Sequence, residues 1–234
     1  MITESLGDRM KTYENVTRNY LMKRTPVVVR LDGKAFHTYT RSCSKPYDYN
    51  LHIVRRNTLF ELCNTIPGVC IGYSQSDEIS LILKDWTTHQ TEAWFNNNIQ
   101  KIASVTASTC TMMWNEHAKN NLLSSRAVFD ARVFNVPMNE VCNYLIWRQK
   151  DWERNSVQML AQKYYSHKQI QGISNRELIT KIEQEHNIVW GNLDTWKKQG
   201  EVFVKDCNTI DQSFLFTDPY NKETIQRVLE YTEN

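Results

Sequence analysis

No stretch of the 234-residue chain approaches the roughly 20 consecutive apolar residues that cross a bilayer. Its first residues, Met1-Ile-Thr-Glu-Ser5, lack the basic-then-apolar pattern of a secretory signal. A soluble cytoplasmic protein with no membrane partner is the expectation. Cys43, Cys63, Cys70, Cys110, Cys142 and Cys207 are scattered, with no Cys-x-x-Cys pair and no Cys/His cluster. That spacing excludes a zinc site, and the six read as reduced thiols. With seven glycines, the chain also lacks a Gly-x-x-x-x-Gly-Lys-[Ser/Thr] loop and a convincing Gly-x-Gly-x-x-Gly loop. Neither a P-loop nor a Rossmann cradle is expected, so any phosphate must be held otherwise. Internal repeats, low-complexity tracts and linkers are absent too, and a length of this order suits one domain with appended helices.

Net charge is almost lacking, at +2, but its distribution is uneven. Between Arg18 and Arg56 stand nine basic residues against two acidic ones, Asp32 and Asp48. A local positive field of this kind suits a polyanion such as a nucleotide or RNA, although a solvated basic face has the same composition. Asp32 closes Pro26-Val-Val-Val-Arg-Leu, a β-branched apolar run that reads as a buried strand. A loop to about Asn50 and a helix over Asn50 to Thr65 follow, ended by Pro67-Gly68. Val69 to Tyr73 and Ile79 to Leu83 flank a polar interval, Ser74-Gln-Ser-Asp-Glu78, that predicts a hairpin. Glu92 to His117 contains no Gly or Pro and predicts a long helix, and Ala127 to Val136 predicts a strand.

The order β-α-β-β-α-β predicts an α+β fold with a ferredoxin-like core, an antiparallel sheet carrying helices on one face, as in polymerase palms and nucleotide cyclases. The palm-like core spans about 25–137. Helices over Asn139 to Tyr165 and Arg176 to His186, and further C-terminal elements, occupy 138–234 of one catalytic domain, 1–234. In this topology the first and third strands are antiparallel neighbours, so Asp32 lies beside Asp77 and Glu78. Two carboxylates about 4 Å apart repel by roughly 4 kcal/mol at an effective dielectric near 20. Hard oxygen donors at strand ends favour Mg²⁺ as the counter-charge. Each element alone is ordinary turn chemistry; their coincidence inside a basic stretch favours a metal site. The Gly33-Lys-Ala-Phe-His37 loop and Lys45 offer backbone N–H groups and cations to a triphosphate.

On these residues the chain resembles the tRNA-His guanylyltransferase superfamily, and most closely its guanylyltransferase-like 3'-to-5' RNA polymerases. The landmarks are Val29-Arg-Leu-Asp-Gly-Lys-Ala-Phe-His37, Ser44-Lys-Pro-Tyr-Asp48, Gly72-Tyr-Ser-Gln-Ser-Asp-Glu78, Phe129-Asp-Ala-Arg132 and Trp147-Arg-Gln149, in order over residues 25–165. The resemblance implies a palm in which Asp32, the Gly33 carbonyl and Asp77 ligate two Mg²⁺ ions, with Glu78 supporting them as the third catalytic carboxylate. It implies that Gly33, Lys34, Ala35, Phe36, His37, Lys45, Asp48 and Ser76 surround a nucleotide triphosphate and that Lys101 faces a phosphate. It implies tRNA, ATP, GTP and other NTPs as partners, and a homotetramer built as a dimer of dimers. Arg30, Arg132, Arg148 and Asn155 are candidate RNA contacts.

Departures from the pattern bear on specificity. Enzymes acting on tRNA-His carry His-Ile-Asn-Asn after Trp-Arg-Gln, where this chain has Glu153-Arg-Asn-Ser156. Ala131 replaces a glycine, and Asn96-Asn-Asn98 stands where those enzymes are basic. The expected activity is therefore templated 3'-to-5' addition that repairs 5'-truncated tRNA. Dedicated addition of G to tRNA-His, a nucleotide cyclase and a non-catalytic tRNA-binding protein are the alternatives. Intact Asp32, Asp77 and Glu78 argue against the last, and the basic surface argues against the cyclase.

Overall fold

Three consecutive valines put β-branched side chains on both faces of one strand, which only a strand covered from both sides tolerates. In the structure, a computed structural model that describes residues 5–121, 126–206, 209–211 and 213–230, that strand is β1 (Val27–Gly33) near the middle of a six-stranded sheet. An N-terminal helix, α1 (Leu6–Asn15), precedes it. Then come α2 (Phe36–Tyr39), α3 (Tyr49–Thr65), β2 (Val69–Gln75), β3 (Glu78–Leu83), α4 (Ile99–Asn120) and β4 (Phe129–Asn135). The chain continues through α5 (Val141–Tyr164), α6 (His167–Ile170), α7 (Asn175–His186), α8 (Thr195–Lys198), β5 (Glu201–Val204), β6 (Thr209–Asp211) and α9 (Pro219–Leu229).

The strands run β4-β1-β3-β2-β5-β6, each antiparallel to its neighbours. As the sequence order requires, β1 lies against β3, with Asp32 opposite Glu78. On one face Val27, Val29, Leu31, Ile79 and Leu81 pack with Leu59 and Leu62 of α3 and Ile102 and Trp114 of α4. On the other, Val28, Tyr73 and Ile82 pack with Val141 and Leu145 of α5 and Ile225 and Val228 of α9. Helices were expected on one face only; the appended C-terminal helices cover the second. The far half of α5 forms a smaller core, where Val157 and Leu160 meet Leu178 and Ile182 of α7. Because side chains alternate along a strand, Arg30, Asp32, Glu78 and Ser80 turn towards α5. Ser80 Oγ and the Tyr144 hydroxyl, 2.8 Å apart, mark the contact.

Two boundaries differ from the sequence expectation. The long helix begins at Ile99 rather than Glu92, because Asn98 accepts the Lys101 N–H as an N-cap at 2.9 Å. Ahead of it Phe95, Asn96 and Asn97 take left-handed backbone angles, with φ of 49°, 54° and 59°. The polar hairpin interval is shorter than read, since Gln75 and Glu78 pair and only Ser76 and Asp77 turn. Of the cysteines, Cys63, Cys70 and Cys110 are free and buried, and Cys43 and Cys142 are free and half-buried; Cys207 lies outside the described residues. Burial pushes the Cys70 thiol up to about 12, in keeping with an inert core thiol. No helix among the described residues is long and apolar enough to cross a membrane.

Candidate active site

The β2–β3 hairpin carries its tip to the end of β1, where the Gly33 N–H donates to the Asp77 carbonyl at 3.1 Å. This tie joins the last residue of β1 to the turn and brings Asp32, Asp77 and Glu78 to one corner of the sheet. Burial raises the Asp77 carboxyl above its ordinary range. Hydrogen bonds from Ser76 and from its own backbone N–H oppose that rise, and the charges of Asp32 and Glu78 add to it. A like-charged corner of this kind is stabilised by a cation.

Glu78 differs from the two aspartates. It is buried, and Arg148 holds it with a two-pronged grip, Nε to Oε1 at 2.6 Å and a terminal nitrogen to Oε2 at 2.9 Å. Arg30 Nε stands 2.9 Å from Oε2, an ion pair without hydrogen-bond alignment. Arg148 also reaches Asp151 at 3.0 Å. The arginine of Trp147-Arg-Gln149 thus turns inward. Gln149 clamps the C-terminal segment, donating to the Gln199 and Phe214 carbonyls and accepting the Phe216 N–H at 3.0 Å.

Beyond β1 the chain turns sharply, with Ala35 left-handed at φ 54° and the Lys34 N–H donating to the Val128 carbonyl at 2.8 Å. Phe36 anchors the loop in a cluster of rings, 4.7 Å from Tyr39 and 5.3 Å from both Trp114 and Phe129. Gly33 is required there, because a Cβ would stand 2.2 Å from the Phe36 ring. Gly33→Ala is expected to cost about 1–3 kcal/mol, the usual range for overpacking, by forcing the Phe36 ring and its loop to move. Thermal melts check it. Asp48 caps α3 through the Leu51 N–H at 3.0 Å and holds the Ser44 N–H at 2.8 Å, which closes the loop carrying Lys45.

These elements enclose a cleft of about 550 Å³. Phe36, His37, Lys45, Asp48, Ser76 and Asp77 line it from the sheet side, and Trp152, Met159, Gln162 and Lys163 of α5 form the opposite wall with Trp196. His52 stacks on Trp196 at 4.1 Å and closes the floor beside Arg55. The sequence predicts a helix over this stretch but assigns no ligand role to the α5 wall. It also passes over Asp130, which lies in register with Asp32 across β1 and β4. Its Phe-Asp-Ala-Arg motif was the available signal.

Other expected residues lie apart. Lys101 is exposed in the first turn of α4, 5.8 Å above the Phe95 ring. Asn97, just before that helix, meets Val27 and Leu83, the sheet end opposite Asp32. Arg132, opposite Arg30 in register, and Asn155 are exposed. Arg30 and Arg148 spend their charge on Glu78. Among the described residues no set of three His, Cys, Asp or Glu is assembled to close on a metal. A pair of carboxylates with a backbone carbonyl nevertheless fits Mg²⁺, which takes one or two carboxylates and completes its shell with phosphate oxygens and water.

Residues 7–137 match the family described as tRNAHis guanylyltransferase. An uncharacterized protein of Acanthamoeba polyphaga mimivirus is 33% identical over 90% of this chain and 80% of its own length. A probable tRNA(His) guanylyltransferase of Dictyostelium discoideum is 31% identical over 67% of this chain, which spans 61% of that protein. Among solved structures, a bacterial tRNA(His) guanylyltransferase-like protein in complex with ATP superposes with a TM-score of 0.91. It is 40% identical, and the match covers 96% of this chain and 99% of that one. A bacterial protein of the same description in complex with GTP gives 0.82 at 36% identity, with the same coverages. The sheet, its carboxylate corner and these likenesses define a nucleotidyltransferase. The chain belongs to the tRNA(His) guanylyltransferase family.

Proposed function

We propose that this chain adds nucleotides in the 3'-to-5' direction to the 5' end of tRNA, directed by the opposing base, and so repairs 5'-truncated tRNA. The carrying observation is that one cleft is lined by Asp77 of the carboxylate corner together with Ser76 beside it and His37, Lys45 and Asp48 from the loop after β1. Its volume of about 550 Å³ falls within the roughly 300–1,000 Å³ of small-ligand sites. The bacterial relatives with ATP and GTP support nucleotides as its occupants.

In this reading the 5'-monophosphate of the tRNA is first joined to the α-phosphate of ATP or GTP, and pyrophosphate leaves. The 3'-hydroxyl of an incoming NTP then attacks the activated 5' phosphate, and the nucleoside monophosphate leaves. Asp32, Asp77 and the Gly33 carbonyl would hold the two Mg²⁺ ions. When bound, the metal lowers the cost of charge developing on phosphate. Lys45 offsets the charge of the triphosphate and His37 contacts it, while Asp48 keeps the Lys45 loop closed. Positioning supplies much of such catalysis, so rigidity at the Phe36 anchor and the Asp48 cap matters as much as charge.

The tRNA extends beyond the cleft over the exposed face near Arg132 and Asn155. Lys101, in the first turn of α4, is not among the residues lining the cleft, so in this reading its phosphate contact is made to a substrate held by a neighbouring protomer. A homotetramer built as a dimer of dimers supplies one. The discriminating assay presents truncated tRNAs with each of four bases opposite the vacant position and each of four labelled NTPs. Incorporation that follows the opposing base supports repair. Addition of G alone, whatever the opposing base, would replace this reading by dedicated G addition.

A further inference from the structure

We propose that Arg148 is a positioning residue, one that withholds Glu78 from the metal corner by neutralising it, rather than a contact for RNA. The inference rests on the reading of Asp32 and Asp77 as metal ligands. Glu78 follows Asp77 directly and is among the most buried acids of the chain, at 5% exposure. Its two oxygens are engaged by the aligned fork of Arg148 and by Arg30. The Trp147 ring packs over both guanidinium groups, 4.4 Å from Arg148 and 5.9 Å from Arg30. That cover sets Arg148 behind an indole, with 5% exposure of its own. A nucleic acid phosphate would have to displace Trp147 and break a bidentate pair to reach it.

The charges explain what the arrangement achieves. Glu78 and Asp151 are matched by Arg148 and Arg30, with the exposed Arg154 also paired to Asp151, so this group carries no net negative charge. Asp32 and Asp77 remain without an arginine partner at the corner, with the exposed Asp130 across the strand from Asp32, and a pair of carboxylates suits a cation that keeps open positions for substrate oxygens. A freed Glu78 carboxylate next to Asp77 would fill one of those positions and bind the ion more tightly, in a site less able to accept phosphate. Arg148 acts on the ion through Glu78, which distinguishes it from both a ligand and an RNA contact.

Mn²⁺ provides a direct probe, since free Mn²⁺ is counted by electron paramagnetic resonance without substrate or turnover. In Arg148→Met, Glu78 is released beside Asp77, and Mn²⁺ is expected to bind roughly tenfold tighter. Binding of tRNA in a gel-shift assay should stay within about twofold, and nucleotide addition should fall. Arg148→Met combined with Glu78→Gln should return Mn²⁺ affinity to the wild-type value. A merely structural role for Arg148 would lower thermal stability without that rescue. Should Arg148→Met fail to fold, Arg148→Lys keeps the charge and loses the fork, and a smaller shift of the same sign is expected. Unchanged Mn²⁺ affinity with tRNA binding weakened about tenfold would overturn the inference while leaving the metal reading intact. If wild type and Asp77→Asn bind Mn²⁺ equally, the metal reading fails, and this inference fails with it.

Discussion

Asp77→Asn is expected to abolish nucleotide addition while leaving the fold at least as stable as wild type without metal. The two effects have opposite signs for one reason. Asp77 is buried at the hairpin tip with Asp32 and Glu78 as like-charged neighbours, and its raised carboxyl reports the cost of holding it charged. An amide of the same shape removes that repulsion, so the melting temperature in EDTA should stay level or rise. Chemistry suffers because a metal contributes several kcal/mol of charge stabilisation in the transition state, and each 1.36 kcal/mol is tenfold in rate. A loss of roughly 10³-fold in single-turnover rate follows. A variant that is inactive and also markedly less stable would indicate instead that Asp77 holds the hairpin together.

The largest effect on stability is expected at Glu201, outside the carboxylate corner. This residue opens β5, is fully buried, and stands opposite Ser74 in the sheet. His52 Nδ1 lies 3.4 Å from Oε2 and an Arg55 terminal nitrogen 3.3 Å from it, with Arg56 at 3.9 Å from Oε1. Burial alone pushes this carboxyl up, but the His52 hydrogen bond and the Arg55 charge outweigh it and leave it below the ordinary range. Glu201→Ala strands the buried Arg55 guanidinium, and breaking a buried pair from one side costs about 3–5 kcal/mol. For a chain of this size that is roughly 10 °C in melting temperature. The sign with pH follows from the depressed carboxyl. Its stabilisation is present above the unfolded-state value near pH 4.3 and is lost as pH falls through the lower folded-state value. Wild type should therefore lose stability on acidification through that window, and Glu201→Ala should lose less. Melting curves between pH 3 and 7 check both points, and because Arg55 and His52 floor the cleft, the variant should also bind nucleotide more weakly.

How much of this was legible beforehand depends on the range of the interaction. The continuous β-branched run of β1 and the apolar spacing of α3 are local, so those elements are legible within a few residues. Adjacency of Asp32 and Glu78 followed from topology, because a βαββαβ order leaves β1 little choice but to lie against β3. What failed was either a balance of short-range signals or a pairing between distant side chains. The start of α4 turned on Asn98 capping its own helix, which outweighed the absence of Gly and Pro. Arg148 and Glu78, 70 residues apart, give no local hint that an arginine expected to contact RNA points at a carboxylate. Likewise Trp196 stacks on His52 across the chain, a pairing of distant residues with no local signal, so the α5 side of the cleft stayed hidden.

Transfer of a nucleotide to a tRNA 5' end tests the central claim most directly. A 5'-monophosphorylated tRNA lacking its first nucleotide is mixed with excess enzyme, Mg²⁺, ATP and the labelled NTP complementary to the opposing base. The account predicts one-nucleotide extension at the 5' end by wild type and none by Asp32→Ala or Asp77→Ala, with both variants folded. No extension by folded wild-type protein with any NTP, or equal extension by the aspartate variants, would contradict it.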